Sequence, residues 1–85
     1  MDFADLREQA QQRLIDFLQA DLDLAFTYLK MAQTRENGRE RLLQNARKAL
    51  QAARHFEGRV VNKEAWTAIH ERADELERAL SRFTP

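Results

Sequence analysis

Leu14–Ala32 reads LIDFLQADLDLAFTYLKMA, and whether this stretch is one helix or two decides the fold. Its apolar residues recur every three or four positions in two adjacent stripes. One stripe is Ile15, Leu18, Leu22, Ala25, Leu29 and Ala32. The other is Leu14, Phe17, Asp21, Leu24, Tyr28 and Met31. This is helical periodicity spread over more than half the circumference, wider than one neighbouring helix needs. Asp21 breaks the apolar character of the second stripe. A carboxylate at such a position costs free energy unless something meets it. Asp21 therefore marks either a specific polar contact or a break in the helix, since Asp is also a good N-cap. No turn residue lies between Gln19 and Leu24, so a continuous helix is expected. A break near Asp21 would instead give a four-helix bundle.

Upstream, the same helix can begin at Phe3. Asp2 stands at the cap position, Asp5 in the first turn, and Met1 is placed to pack on Leu6 as a staple. Downstream, Asn37-Gly38 is the strongest turn signal in the chain. Helix 1 is thus expected over about residues 3–34. Helix 2 follows over about 39–57, with Gly58 as its C-terminal cap. Helix 3 runs from about 63 to 83, capped by Asn62, with Val61 and Trp66 at the flanking staple positions. The expected fold is an all-α, antiparallel three-helix bundle with a long first helix, in one domain spanning residues 1–85.

Composition agrees with this reading. Two glycines and one proline among 85 residues are too few for a sandwich or barrel, and Ala, Leu, Glu, Arg and Gln favour helix. The chain has no cysteine, which removes disulfides, thiolate metal sites and thiol catalysis. No apolar run reaches the ~18–20 residues of a membrane span, and the acidic start lacks the features of a signal peptide. A cytoplasmic protein without a membrane partner is expected.

The expected helices differ in length. At ~1.5 Å per residue helix 1 is ~48 Å long and the other two are ~30 Å each. Short loops make neighbours antiparallel, so helix 2 returns only to about Asp16. Phe3, Leu6, Ala10 and Leu14 are left as an apolar stripe without an intrachain partner, and such a stripe marks an interface. Two copies pairing these overhangs in a symmetric dimer, or a partner helix, would cover it. For Asp21 the hairpin reflection suggests Arg54, Arg72 or the Trp66 indole as the partner.

A second functional class rests on charge. The chain is neutral overall, but residues 1–34 carry a net −3, residues 35–63 a net +5 and residues 64–85 a net −2. Arg41, Arg47, Lys48 and Arg54 form a basic outer face on helix 2 that would suit a phosphate backbone. Zero net charge, the lack of aromatics on that face and helices too long for a helix-turn-helix argue against nucleic acid. A third class is a ligand-binding bundle around Asp21, Tyr28 and Trp66. The chemistry of an enzyme is missing. There is no Glu-x-x-His pair, no glycine-rich phosphate loop, and no nucleophile presented on a strand-to-helix elbow. His55 and His70 stand alone on different helices. No catalytic residue, metal or cofactor is expected.

Leu29, Ala32, Asn37-Gly38, Ala46, Leu50 and Ala53 resemble the small–large spacing of a tetratricopeptide helical hairpin. With Arg72-Ala73-Asp74-Glu75-Leu76 added, residues 22–80 look like the three-helix microtubule-interacting-and-trafficking domains. Both families bind peptides or helices in their grooves, so the resemblance implies a protein partner. The aromatic positions and terminal proline of the tetratricopeptide repeat are absent here.

Overall fold

The computed structural model describes residues 2–83. It contains α1 (Phe3–Thr34), α2 (Arg39–Glu57) and α3 (Lys63–Ser81), all three in mutual contact. Helix 1 is continuous through Asp21, so the bundle has three helices and not four. The molecule measures 52 × 19 × 16 Å, and the long dimension is essentially the length of α1.

Local signals account for the joints. Gly38 takes the left-handed conformation, φ 77°, at the start of α2, which an L side chain resists. Arg39 then turns back: its Nε donates to the carbonyls of Ala32 (2.8 Å) and Arg35 (3.0 Å). The first residue of α2 thereby satisfies carbonyls at the end of α1, whose last turn has no basic residue. Asn62 caps α3 through Ala65 N–H, 2.9 Å.

Several local expectations are corrected. Asp2 occupies the cap position of α1 without a side-chain cap bond. Gly58 is right-handed (φ −65°), and tight turns from Arg59 to Phe56 and Val60 to Glu57 close α2, so glycine's conformational freedom is not used there. Helix 3 stops at Ser81, short of Phe83. Val60, not Val61, seals the loop: Val60 is 6% exposed and Val61 is 80% exposed. The reason is geometric, because Val61 N–H turns to Gln11 Oε1 and its side chain is left outside. The Met1–Leu6 staple involves a residue outside those described.

The core follows the first stripe of α1. Leu18, Leu22, Ala25, Leu29 and Ala32 meet Leu43, Ala46, Ala49 and Ala53 of α2 and Ile69, Ala73, Leu76 and Leu80 of α3. Alanines on α2 let its backbone come close to α1, which explains the tetratricopeptide-like spacing by the hairpin contact itself.

Candidate functional site

Helix 1 has more apolar surface than the bundle covers. Phe3 is 80% exposed, Leu6 46%, Phe17 54% and Leu24 46%. These residues share one face with Ala10, Leu14, Asp21, Tyr28 and Met31. The nine positions are spaced 3-4-4-3-4-3-4-3, averaging 3.5 residues, and they fall within ~100° of arc on a helix. That is the period of a coiled-coil seam; no helix lies on its first part, residues 3–10, and the rest is only partly covered. It runs from the N-terminal overhang down to the side of α2.

Two parts of this seam differ. Residues 2–10 are exposed on every side. Coverage begins at Gln11, where the α2–α3 loop docks. Gln11 Nε2 donates to the Arg59 carbonyl (2.9 Å), and its Oε1 accepts from Val61 N–H (3.0 Å). Of the four expected interface residues, Phe3, Leu6 and Ala10 are therefore exposed, while Leu14 is half-buried against the core. Further down, α2 covers the seam from one side only. A shallow groove remains, lined by Asp21, Leu24, Tyr28, Asn45, Lys48 and Ala49.

Asp21 lies in this groove, half-buried. Burial raises the pKa of its carboxyl from the ordinary value. The expected contacts with Arg54, Arg72 and Trp66 are not made. Arg54 instead turns to α3, where Asp74 and Glu77 meet its guanidinium, with Glu57 of its own helix beside it. Arg72 sits across the width of α1, on Asp23 Oδ1 (2.6 Å) and Gln19 Oε1 (2.8 Å), with its guanidinium over the Phe26 ring. Positions 19, 23 and 26 lie on the side of α1 opposite to position 21. The reflection across the hairpin gave the level of Asp21 correctly but not its rotation about the axis. Trp66 stacks on His70, centroids 4.6 Å apart, with its ring plane 10° from parallel. Asp21 and Tyr28 share a groove, but Trp66 is elsewhere, so the proposed ligand trio is not brought together.

The α2–α3 contact holds the densest polar cluster. Arg54 donates to Asp74, and this bond raises the guanidinium pKa and holds the Asp74 carboxyl below its ordinary value. His70 Nδ1 lies 3.1 Å from Glu57 Oε1, and its Nε2 lies 3.6 Å from Asp74 Oδ2. Among the described residues no group of three His, Asp or Glu side chains is arranged to hold a metal ion.

The expected basic face is thinner than the charge count suggested. Arg54 is neutralised by three carboxylates, and Arg47 Nη1 lies 3.6 Å from Glu40 Oε1. Arg39 serves as a cap, and Arg59 stacks on Phe56. Arg41 and Lys48 remain exposed on α2, Lys48 at the rim of the groove that holds Asp21. No helix among the described residues is long and apolar enough to cross a membrane.

Sequence reasoning found the overhang and missed the continuation of its seam through Phe17 and Leu24. The signal was present in the 3.5-residue period running unbroken past Leu14. The width of the two stripes implies packing against helices 2 and 3 at once, or against another chain as well, without telling which residues stay exposed. No family model, curated protein or solved structure matches the chain.

Proposed function

We propose that this protein is a small, non-catalytic helical assembly module that associates with a second copy of itself through the uncovered seam of α1. One observation carries the reading. Among the described residues five large hydrophobics are left exposed, and four of them (Phe3, Leu6, Phe17 and Leu24) fall on that single face. Scattered exposed apolar residues need no explanation, but a continuous stripe on one helix does. The 3.5-residue period suits a helix as the covering element. The basic face gives nucleic acid less support, since its central arginine is committed to α3.

The test is size-exclusion chromatography with light scattering at ~100 μM, a concentration well above the dissociation constant of a stable dimer. Wild type should elute with twice the mass of one chain. Phe3→Glu combined with Leu6→Glu should give a monomer with unchanged helical circular dichroism, because neither side chain enters the core. Wild type with the mass of one chain at that concentration would refute self-association.

A further inference from the structure

The seam is self-complementary in only one direction. Suppose a second copy lies antiparallel on it, with the two-fold axis level with the Ile15–Asp16 peptide. Phe3 then faces the second copy's Tyr28, Leu6 its Leu24, Ala10 its Asp21, and Leu14 its Phe17. Aromatic meets aromatic and aliphatic meets aliphatic. The one charged residue of the seam meets its smallest residue. The exposed overhang, residues 3–10, falls on residues 21–28 of the other chain, where the groove beside α2 stands open. The α1 wall of that groove, Asp21 to Tyr28, is as long as the overhang, so one two-fold axis brings each onto the other. A parallel pairing in register does otherwise. It sets Asp21 against Asp21, two like charges across a desolvated seam.

Charge decides the same way. Arg7 lies on the same flank of α1 as Asp21 and is exposed. Among the described residues neither side chain makes an ion pair or side-chain hydrogen bond within the chain. In the antiparallel register the second copy's Arg7 arrives within one helical turn of Asp21, on the α2 side of the seam. The symmetry repeats the pair, so two such contacts form. On the opposite flank Arg13 and Asp16 straddle the axis, and each meets the other's counterpart. Antiparallel helix pairs are aligned by flanking charges of this kind.

We infer that the second copy packs antiparallel on α1, its overhang seated in the α1–α2 groove and its Arg7 paired with Asp21. This rests on the self-association proposed above and adds the direction, the register and the polar contact. At each end of the dimer the partner's overhang becomes a fourth helix beside α1, α2 and α3.

The absence of native cysteine makes the test direct. A single nitroxide is attached through Asp5→Cys, an exposed position off the seam. The spin–spin distance is then read by pulsed electron paramagnetic resonance at ~100 μM. The antiparallel register places the two labels about 33 Å apart, from ~1.5 Å rise per residue and ~9 Å between axes. A parallel pair would bring them within ~20 Å. Charge reversal gives the second arm: Arg7→Glu and Asp21→Lys should each weaken the dimer by about tenfold, and the two together should restore it to within about threefold of wild type. A dimer whose labels lie elsewhere than ~33 Å, or a double variant no tighter than the singles, overturns this arrangement and leaves self-association standing. A single-chain mass with no dipolar signal removes both.

Discussion

Leu22→Ala and Leu24→Ala remove the same atoms from the same helix two positions apart, and the structure assigns them opposite consequences. Leu22 is fully buried between α2 and α3, while Leu24 is 46% exposed on the uncovered seam. Truncating a fully buried leucine in a packed core costs roughly 3–5 kcal/mol, transfer plus cavity. Full burial of a leucine is worth about 1.5–3 kcal/mol, and Leu24 realises only about half of that, with no enclosed cavity left behind. Its loss should be near ~1 kcal/mol. An 85-residue domain has roughly 4–13 kcal/mol of total stability, so Leu22→Ala takes a large share and Leu24→Ala a small one.

Urea unfolding followed by circular dichroism resolves the two, provided the protein is dilute enough (~1 μM) to be a single chain. With a slope near ~1 kcal/mol/M for a domain this small, Leu22→Ala should lower the midpoint by roughly 3–5 M and Leu24→Ala by about 1 M. At ~100 μM the order of sensitivity changes. Leu24→Ala should now also weaken the dimer, whereas Leu22→Ala should act through folding alone. Equal midpoints for the two variants at low concentration would mean that the face of α1 is assigned wrongly. The seam, and every conclusion drawn from it, would fall with that result.

Two further outcomes test the polar part of the bundle. Trp66 is half-buried, stacked on His70 and packed against the core edge; Trp66→Ala should cost about 2–3 kcal/mol in the same assay, below the full-burial range, and a loss under ~0.5 kcal/mol would place the ring outside the fold. Asp74 and Asp21 should respond to pH with opposite signs, best read in the Phe3→Glu/Leu6→Glu background. The folded-state pKa of Asp74 is lowered by Arg54, so its contribution is complete above the unfolded value of about 3.9 and is lost as pH falls through the folded one. The penalty of Asp74→Asn should therefore shrink toward pH ~2. The folded-state pKa of Asp21 is raised by desolvation, so its ionisation opposes folding once pH passes the unfolded value. Asp21→Asn should stabilise the single chain at pH 7 and lose that advantage below pH ~4. Parallel pH profiles for the two variants would contradict both assignments.

The three helices were legible because both joints between them carry a clear local signal. Asn37-Gly38 supplies a left-handed residue, and Asn62 supplies a cap acceptor. The 32 residues of α1 contain nothing that competes with helix. The mismatch in lengths, and hence the exposed Phe3, Leu6 and Ala10, followed from counting residues. Rotation about the helix axes was not legible. Arg54 has reach enough for several carboxylates, and α3 offers two of its three partners, so it leaves α1. Arg72 finds Asp23 and Gln19 on the far side of α1 because α3 packs there. Those choices depend on which side of α1 each neighbour occupies, and a wheel drawn for one helix does not contain that information. The same limit hid Phe17 and Leu24, which are exposed only because α2 lies to one side of the seam.

Asp21 joins these strands. On sequence alone a carboxylate in an apolar stripe calls for a polar contact or a break in the helix, and among the described residues the single chain supplies neither. Within the bundle it shares with Leu24, Tyr28 and Lys48 a groove that is neither closed nor fully wet. There its ionised form is disfavoured, so as an element of the single chain it subtracts stability. The overhang is the complementary deficit: eight residues of helix, Phe3–Ala10, with apolar side chains on one face and no core beneath them. Each deficit taken alone calls for its own compensation. Placed on the same face of the same helix, at equal distances from a point near Ile15, they compensate one another under a two-fold rotation. That rotation carries Arg7 to Asp21, fills the groove with Phe3 and Leu6, and leaves no seam residue facing a copy of itself. A buried charge pair adds little net affinity but excludes registers that would strand the charge. On this reasoning Asp21 selects the register in which two chains meet, while Phe3, Leu6, Phe17 and Leu24 supply the strength of the contact.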